Sequence, residues 1–195
     1  MNDPGQLFWI FVSAMVVNNF TLSYFLGLCP FFGVSGRLDT ALRLGLANIF
    51  VLVITSLCAW ALNTFVLEYV PYLRLISFIL VIASTEQFVE MVIKKLSPAL
   101  FRALGIYLPL ITTNCAILGL ALFQTNRGYG LVQGLIYALG AGAGLTLALV
   151  LMAGLRVEAE LSDIPSVAKG TALNLILAGI LSLAFMGFAG LFASA

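Results

Sequence analysis

Apolar residues run along this chain in long continuous stretches instead of alternating with polar ones. Each stretch is near the ~20 residues that an α-helix needs to cross a bilayer. Continuous runs are typical of helical spans, because the strands of a transmembrane barrel alternate apolar and polar residues. The pattern predicts an all-α membrane protein with six transmembrane helices, placed roughly at Leu7 to Phe32, Ala41 to Val66, Leu73 to Ile93, Leu100 to Phe123, Gly130 to Leu155 and Thr171 to Phe192.

The composition supports a membrane location. Of the 195 residues, 62% are hydrophobic and 9% are charged, and histidine is absent. The longest connection between predicted helices is the short segment from Arg156 to Lys169, so residues 1–195 are expected to form one integral membrane domain. The chain has no phosphate-binding loop, no nucleophile-base pair and no catalytic histidine, so it is not a complete enzyme by itself.

The basic residues fall mostly on one side of the predicted helices. The connections between helices 1 and 2, 3 and 4, and 5 and 6 carry Arg37, Arg43, Lys94, Lys95, Arg102, Arg156 and Lys169, whereas the opposite side has only Arg74 and Arg127. The positive-inside rule therefore predicts that those three connections are cytoplasmic and that both termini lie on the outer face. No basic residue precedes Arg37, so a secretion signal is not expected and the first helix should stay in the mature protein.

Counting helices predicts an internal repeat. If residues 1 to about 95 hold three spans and residues 96–195 hold three more, the odd number forces the two repeats into opposite orientations. Functional groups of such inverted repeats gather near mid-membrane, commonly on interrupted helices. Helices 1 and 4 are predicted to be interrupted, because glycine and proline punctuate them at Gly27, Pro30, Gly33, Gly105, Pro109 and Gly119.

Two of the three cysteines occupy matching settings about half a chain apart. Cys29 and Cys115 each begin a Cys-x-x-x-Gly segment within an apolar run, whereas Cys58 has no counterpart and is interpreted as a small packing residue. Paired thiolates are natural ligands for a metal or an iron-sulfur centre. Two thiolates are half of a four-thiolate shell, so this hypothesis predicts a partner chain. Passive packing and a structural disulfide are the alternatives.

Two carboxyl groups inside predicted helix 3 are candidates for an ion route. Glu86 and Glu90 lie one helical turn apart, with Lys94 one turn further, so the three can share a helix face. Carboxylates within a membrane are functional candidates, which makes either one a possible part of a cation entry path. The alternative is an interfacial charge ladder that Lys94 and Lys95 neutralise.

A different class of function also fits these polar positions. Asn18 and Asn19 lie deep in the first predicted helix. In a secondary transporter or channel component without a redox cofactor, they would line the route together with Glu86 and Glu90, and the cysteines would be passive. Iron content and colour of the assembled protein would distinguish the two functions.

The glycine-rich segment from Gly140 to Gly144 resembles part of a dinucleotide-binding loop. It lies inside an apolar run and has neither a preceding strand nor a following acidic residue. Close packing between helices through Gly140 and Gly144 is the better interpretation.

Distinctive segments are spread over the whole chain. They are Asn18-Asn19-Phe20, Leu26-Gly27-Leu28-Cys29-Pro30-Phe31, Leu108 to Ala116, Phe78 to Ala83, Glu90 to Val92 and Ser182 to Phe188. Together they resemble the small six-helix subunits of the Rnf and Na+-translocating NADH:quinone oxidoreductase complexes. Chain length and the segment around Cys29 most resemble the A subunits of the Rnf branch, rather than the longer E subunits.

The resemblance implies a cofactor, partners and a location. In that family, two homologous subunits insert in opposite orientations, and their four cysteines hold a [2Fe-2S] cluster within the membrane. Cys29 and Cys115 match the ligand positions, so a homologous E-like subunit would supply the other two. Electrons would pass between cytoplasmic subunits that handle NADH or ferredoxin and flavin-bearing subunits on the outer side, coupled to Na+ or H+ movement. The location would be the inner membrane of a bacterial cell.

Three polar residues immediately before the second cysteine are candidates to support such a cluster. A centre with four thiolates carries negative charge, and burying it without compensating donors is costly. Thr112, Thr113 and Asn114 could provide hydrogen-bond donors around the ligands. The alternative is that they form hydrogen bonds between helices, as polar residues in membrane spans often do.

Overall fold

The computed structural model describes residues 3–34, 38–67, 71–96, 114–162 and 170–189, and within these ranges every regular element is helical. The helices are α1 (Pro4–Val12), α2 (Leu28–Val34), α3 (Leu38–Leu62), α4 (Arg74–Leu96), α5 (Cys115–Asn126), α6 (Leu131–Leu161) and α7 (Thr171–Ala189). π-Helical turns at Ser13–Val17 and Asn63–Leu67 extend α1 and α3, and a 3₁₀ turn at Pro71–Leu73 precedes α4. The predicted all-α class is confirmed.

Three helices of the described part are long and apolar enough to cross a membrane. They extend over Leu38–Phe65, Leu131–Ala159 and Thr171–Phe188, and they correspond to predicted helices 2, 5 and 6. α4 coincides with predicted helix 3 but carries several charged residues. Only the last part of predicted helix 4 lies among the described residues, as α5.

The helix α6 is longer than the apolar pattern indicates. That pattern ends predicted helix 5 at Leu155 and leaves residues 156–169 as a connection, but α6 continues to Leu161. The added residues are Arg156, Val157, Glu158, Ala159, Glu160 and Leu161, and most of them are strong helix formers. The hydropathy pattern ends with the apolar residues, whereas the helical hydrogen bonds continue into the polar residues that follow.

The core of the fold is the contact between α3 and α6, which is the most extensive between any two helices of the described part. Leu44 and Leu52 of α3 and Leu145, Leu149 and Met152 of α6 are fully buried there. α1 and α5 pack on this pair. Large apolar side chains on the outer faces of α4 and α7 are exposed, among them Ile76, Leu80, Phe88, Ile176, Leu183 and Met186.

Small residues of α6 let the first helical segment approach closely. A Cβ atom built on Gly140 would lie 2.7 Å from the carbonyl oxygen of Phe11, and one built on Gly144 would lie 2.7 Å from that of Met15. Contacts that short leave no room for a side chain. The glycine segment is therefore a helix-packing surface, as predicted.

The first predicted helix is interrupted. After the π-helical turn, residues 18–27 leave helical geometry, and α2 resumes at Leu28. Phe25 and Gly27 both adopt positive φ, at 55° and 80°. The predicted break in helix 1 is present, but it precedes Pro30 and Gly33, which lie within α2. For helix 4, Gly105 and Pro109 lie outside the described part, and Gly119 lies within the helix α5.

Side chains replace the helical hydrogen bonds that this break removes. Asn19 is fully buried: its amide nitrogen donates to the carbonyl oxygens of Met15 and Gly144, at 3.1 and 2.8 Å. Its oxygen accepts from the backbone N–H groups of Thr21 and Leu22, at 3.0 and 3.3 Å. Buried backbone polar groups need such partners, because an unmet one is costly.

Two further contacts tie the interrupted segment to the rest of the protein. The Ser182 hydroxyl of α7 donates to the carbonyl oxygen of Leu22 at 2.7 Å. The ring of Phe20 stacks on that of Phe123, with ring centroids 5.8 Å apart. Residues 19–22 of the segment are thus part of the core, whereas Ser23, Tyr24 and Phe25 are exposed.

Candidate metal centre around Cys29 and Cys115

Both candidate cysteines lie in the first turn of a helix. Cys29 is the second residue of α2, and Cys115 is the first residue of α5. Both are exposed on this chain, and all three cysteines are free thiols in the structure.

Gly27 brings the two cysteine segments together. Its backbone N–H donates a hydrogen bond to Sγ of Cys115, with 3.0 Å between nitrogen and sulfur. Cys29 follows Gly27 by two residues, so its backbone lies close to this contact in sequence. The positive φ of Gly27 turns the chain to present this N–H, and glycine is the residue that adopts this conformation at little cost.

Asn114 shapes the start of α5. It is 4% exposed and is the N-cap residue, with its side-chain oxygen accepting from the backbone N–H of Ala116 at 3.1 Å. Its side-chain nitrogen donates to Oδ1 of Asn48 in α3, at 3.1 Å. One amide thereby satisfies an end of α5 and joins it to α3, as N-cap residues and interhelical amides each do.

The predicted metal ligands of this chain are the thiols of Cys29 and Cys115. Among the described residues, no group of three or more His, Cys, Asp and Glu side chains comes together. Cys58 lies apart, half-buried in α3 with Sγ 3.7 Å from the hydroxyl of Thr85 in α4. Two exposed thiols with a backbone N–H directed at one of them fit a thiolate-ligated iron-sulfur centre that a second chain completes.

The other predicted positions divide into two groups. Thr112 and Thr113 lie outside the described residues. Glu86 and Glu90 are both in α4, where Glu86 is only 5% exposed and Glu90 is half-buried. The Oε1 atom of Glu86 is buried and makes no hydrogen bond with the described part of the chain.

The structure separates the roles of Asn18 and Asn19. Both hydrogens and the oxygen of the Asn19 amide are engaged by the backbone, so this side chain is a structural element of the break. Asn18 donates to the Ser13 hydroxyl at 2.9 Å and accepts from the Tyr24 hydroxyl at 3.2 Å. It also lines a cleft of ≈ 590 Å³ together with Gln6, Trp9, Ile10, Ser13, Arg127 and Tyr129.

Sequence reasoning missed Asn48. This residue is 0% exposed in the middle of α3, and it contacts the candidate site through Asn114. A lone amide within an apolar run was the available signal. The sequence did not show that Asn114 is its partner, because the two residues lie 66 positions apart.

Comparison with known proteins gives one family. The family model described as "Rnf-Nqr subunit, membrane protein" matches residues 7–192. A protein of Syntrophotalea carbinolica, named as the A subunit of an "Ion-translocating oxidoreductase complex", is 54% identical over 188 residues, which is 95% of this chain and 97% of that protein.

Proteins of the same name from other bacteria are about as similar. That of Photorhabdus laumondii is 52% identical over 186 residues, covering 94% of this chain and 96% of that protein. That of Serratia proteamaculans is 53% identical over 184 residues, covering 93% of this chain and 95% of that protein. The chain belongs to the Rnf-Nqr family of membrane subunits.

Proposed function

We propose that this chain is a membrane subunit of an ion-translocating oxidoreductase complex and supplies two thiolate ligands, Cys29 and Cys115, to a [2Fe-2S] cluster. The names and near-complete coverage of the relatives support the first part. The main support for the ligand assignment is the hydrogen bond from Gly27 to Cys115. It joins the two cysteine segments and directs a backbone donor at sulfur.

Such a cluster, when bound, supplies a one-electron carrier within the membrane. The chain contributes the ligands and compensates their negative charge. A sulfur that accepts a backbone hydrogen bond holds less negative charge, and this is a recognised means of tuning iron-sulfur centres. The N–H of Gly27 meets this requirement without placing a charged side chain in the apolar region.

The partner in this proposal is a homologous six-helix subunit that inserts in the opposite orientation and contributes the other two thiolates. Both cysteines of this chain are exposed, so a second chain has access to them. Further subunits with flavins and iron-sulfur clusters would exchange electrons with this pair. We place the complex in the bacterial inner membrane, with both termini of this chain on the periplasmic side.

We also propose that Glu86, with Glu90 one turn away, takes part in cation movement. Burying a carboxyl group in a membrane protein without a hydrogen-bond partner is costly, and such groups mark ion routes. Glu86 is 5% exposed with an oxygen that has no partner in the described part of the chain, whereas the half-buried Glu90 lies nearer the predicted cytoplasmic end. The cation would be Na+ or H+.

The ligand assignment is tested on the complex purified with all its subunits. Iron, acid-labile sulfide and the EPR spectrum of the reduced sample are measured for the wild type and for Cys29→Ser, Cys115→Ser and Cys58→Ser. Cys58 is the matched control, because it is the third cysteine and lies in α3, where its Sγ contacts the hydroxyl of Thr85 in α4.

We expect Cys29→Ser and Cys115→Ser each to lose the [2Fe-2S] signal while every subunit stays assembled, and Cys58→Ser to retain it. A fully assembled wild-type complex without this signal would exclude the proposed cofactor. Ligand variants that keep the signal would exclude the assigned cysteines. Either result would favour the transporter function, in which the cysteines are passive.

A further inference from the structure

We infer that Asn48 of α3 is a positioning residue for Cys115 and acts through Asn114. The inference rests on the proposed function. It assigns a role to a residue of a different helix, which acts on the sulfur only through the Asn114 amide. Its basis is an unbroken series of amide hydrogen bonds that runs from α3 to the first turn of α5.

The series begins within α3. The side-chain nitrogen of Asn48 donates to the carbonyl oxygen of Leu44 at 3.1 Å, one turn earlier in the helix. This bond fixes which end of the Asn48 amide faces outward from α3. The oxygen Oδ1 of Asn48 is thereby directed at Asn114, and the side-chain nitrogen of Asn114 donates to it at 3.1 Å.

The series ends at the backbone of α5. The oxygen of the Asn114 amide accepts from the N–H of Ala116 at 3.1 Å. Cys115 lies between these two residues, so the N-cap interaction sets the backbone direction from which its side chain leaves. Holding the amide of Asn114 therefore holds the thiol of Cys115.

Gly27 lies beside the same amide. A Cβ atom built on Gly27 would lie 3.1 Å from Oδ1 of Asn114 and 3.4 Å from Cβ of Ala116. The N–H of Gly27 donates to Sγ of Cys115 beside this amide, at 3.0 Å. By holding the Asn114 amide, Asn48 is expected to set the distance between this sulfur and its backbone donor.

The burial of Asn48 supports a specific purpose. It is 0% exposed, and an apolar residue would fill such a position at lower cost unless the amide were needed. A second buried polar pair connects the same two helices: the Ser56 hydroxyl donates to Oε1 of Gln124 at 2.8 Å. Gln124 lies nine residues beyond Cys115 in α5, so this pair offers a matched control.

The test compares Asn48→Leu with Gln124→Met in the complex purified with all its subunits. Each change replaces a buried amide at the interface of α3 and α5 by an apolar side chain of similar size. Asn114→Ser is the second variant, because serine is also an N-cap residue but is too short to reach Asn48. The measurements are iron content, EPR g-values and the midpoint potential of the cluster.

We expect Asn48→Leu and Asn114→Ser to retain iron but to shift the EPR g-values and to lower the midpoint potential. The cause is a weaker hydrogen bond from the N–H of Gly27 to Sγ of Cys115. Gln124→Met should match the wild type.

The inference is overturned if both site variants match the wild type, or if Gln124→Met shifts the spectrum as much as they do. If Asn48→Leu does not assemble, Asn114→Ser decides alone. A wild-type complex without a cluster would instead refute the proposed function.

Discussion

The backbone N–H of Gly27 is directed at Sγ of Cys115, 3.0 Å away, although 88 residues separate the two in sequence. The contact joins the end of the interrupted segment in the first half of the chain to the first turn of α5 in the second half. It requires a left-handed backbone at Gly27 and an N-cap at Asn114. The segment that carries Cys29 and the helix that begins at Cys115 are therefore joined by this hydrogen bond.

Replacing Gly27 by alanine should affect both stability and the sulfur. A side chain at φ +80° costs about 1–2 kcal/mol, and its Cβ would press on the Asn114 amide. We expect a lower unfolding temperature and a more negative midpoint potential of the proposed cluster. Gly128→Ala is the control, since Gly128 has φ +65° and nothing within 4 Å. It should lose similar stability without any change in potential; equal potentials in all three proteins would contradict the role of Gly27.

The packing of α6 on the first helical segment should be sensitive to a single methyl group. Gly144→Ala places a Cβ 2.7 Å from the carbonyl oxygen of Met15 and 3.0 Å from the Asn19 amide nitrogen, so we expect a loss of about 1–3 kcal/mol. Gly154→Ala in the same helix meets no atom within 4 Å and should be neutral or stabilising. Thermal unfolding in detergent measures the difference, and equal unfolding temperatures would show that the close approach does not matter.

Asn19 should be far more important for stability than its neighbour Asn18. Asn19→Ala leaves the buried N–H groups of Thr21 and Leu22 without acceptors, which should cost on the order of 3 kcal/mol. Asn18→Ala removes bonds to Ser13 and Tyr24, of which the latter is exposed, and should cost less than about 1 kcal/mol. Urea or thermal unfolding of the two variants gives the comparison. Similar losses would argue that Asn19 does not hold the break together.

Glu86→Gln should uncouple electron transfer from cation movement. The buried carboxyl group is replaced by an amide of the same shape that cannot ionise, so cation uptake by proteoliposomes should fall while the EPR signal of the cluster remains. Both Na+ uptake and proton uptake are measured per electron transferred. Glu90→Gln, at a half-buried position, is expected to have the smaller effect. Unchanged uptake in Glu86→Gln would remove this residue from the ion route.

Much of the fold follows from hydropathy and from the positions of glycine and proline. The helical class and the packing surface at Gly140 and Gly144 are predictable from local patterns, whereas the break in the first predicted helix lies at residues 18–27, before Pro30 and Gly33. Helix ends are less so, because α6 continues to Leu161 after its apolar run has ended. Hydropathy records which residues favour lipid, and polar helix formers extend a helix beyond that limit.

The site was predictable only in part. The cysteines stood out by spacing, and Asn114 by its place beside Cys115. Asn48 and the backbone N–H of Gly27 did not, because their importance depends on contacts across 66 and 88 residues. An amide in an apolar run shows that a partner must exist without showing which one, and a backbone donor leaves no trace in the sequence beyond the glycine that orients it.

The folded break between Asn18 and Gly27 has a consequence for electron transfer. Asn19, Ser182 and the ring of Phe123 hold this segment, and the segment in turn presents the N–H of Gly27. A dipole held this firmly is already aligned before the charge beside it changes. In the proposed centre, little nuclear rearrangement beside Cys115 would accompany the gain or loss of an electron by the iron, so the reorganisation energy would be low and electron transfer would be fast.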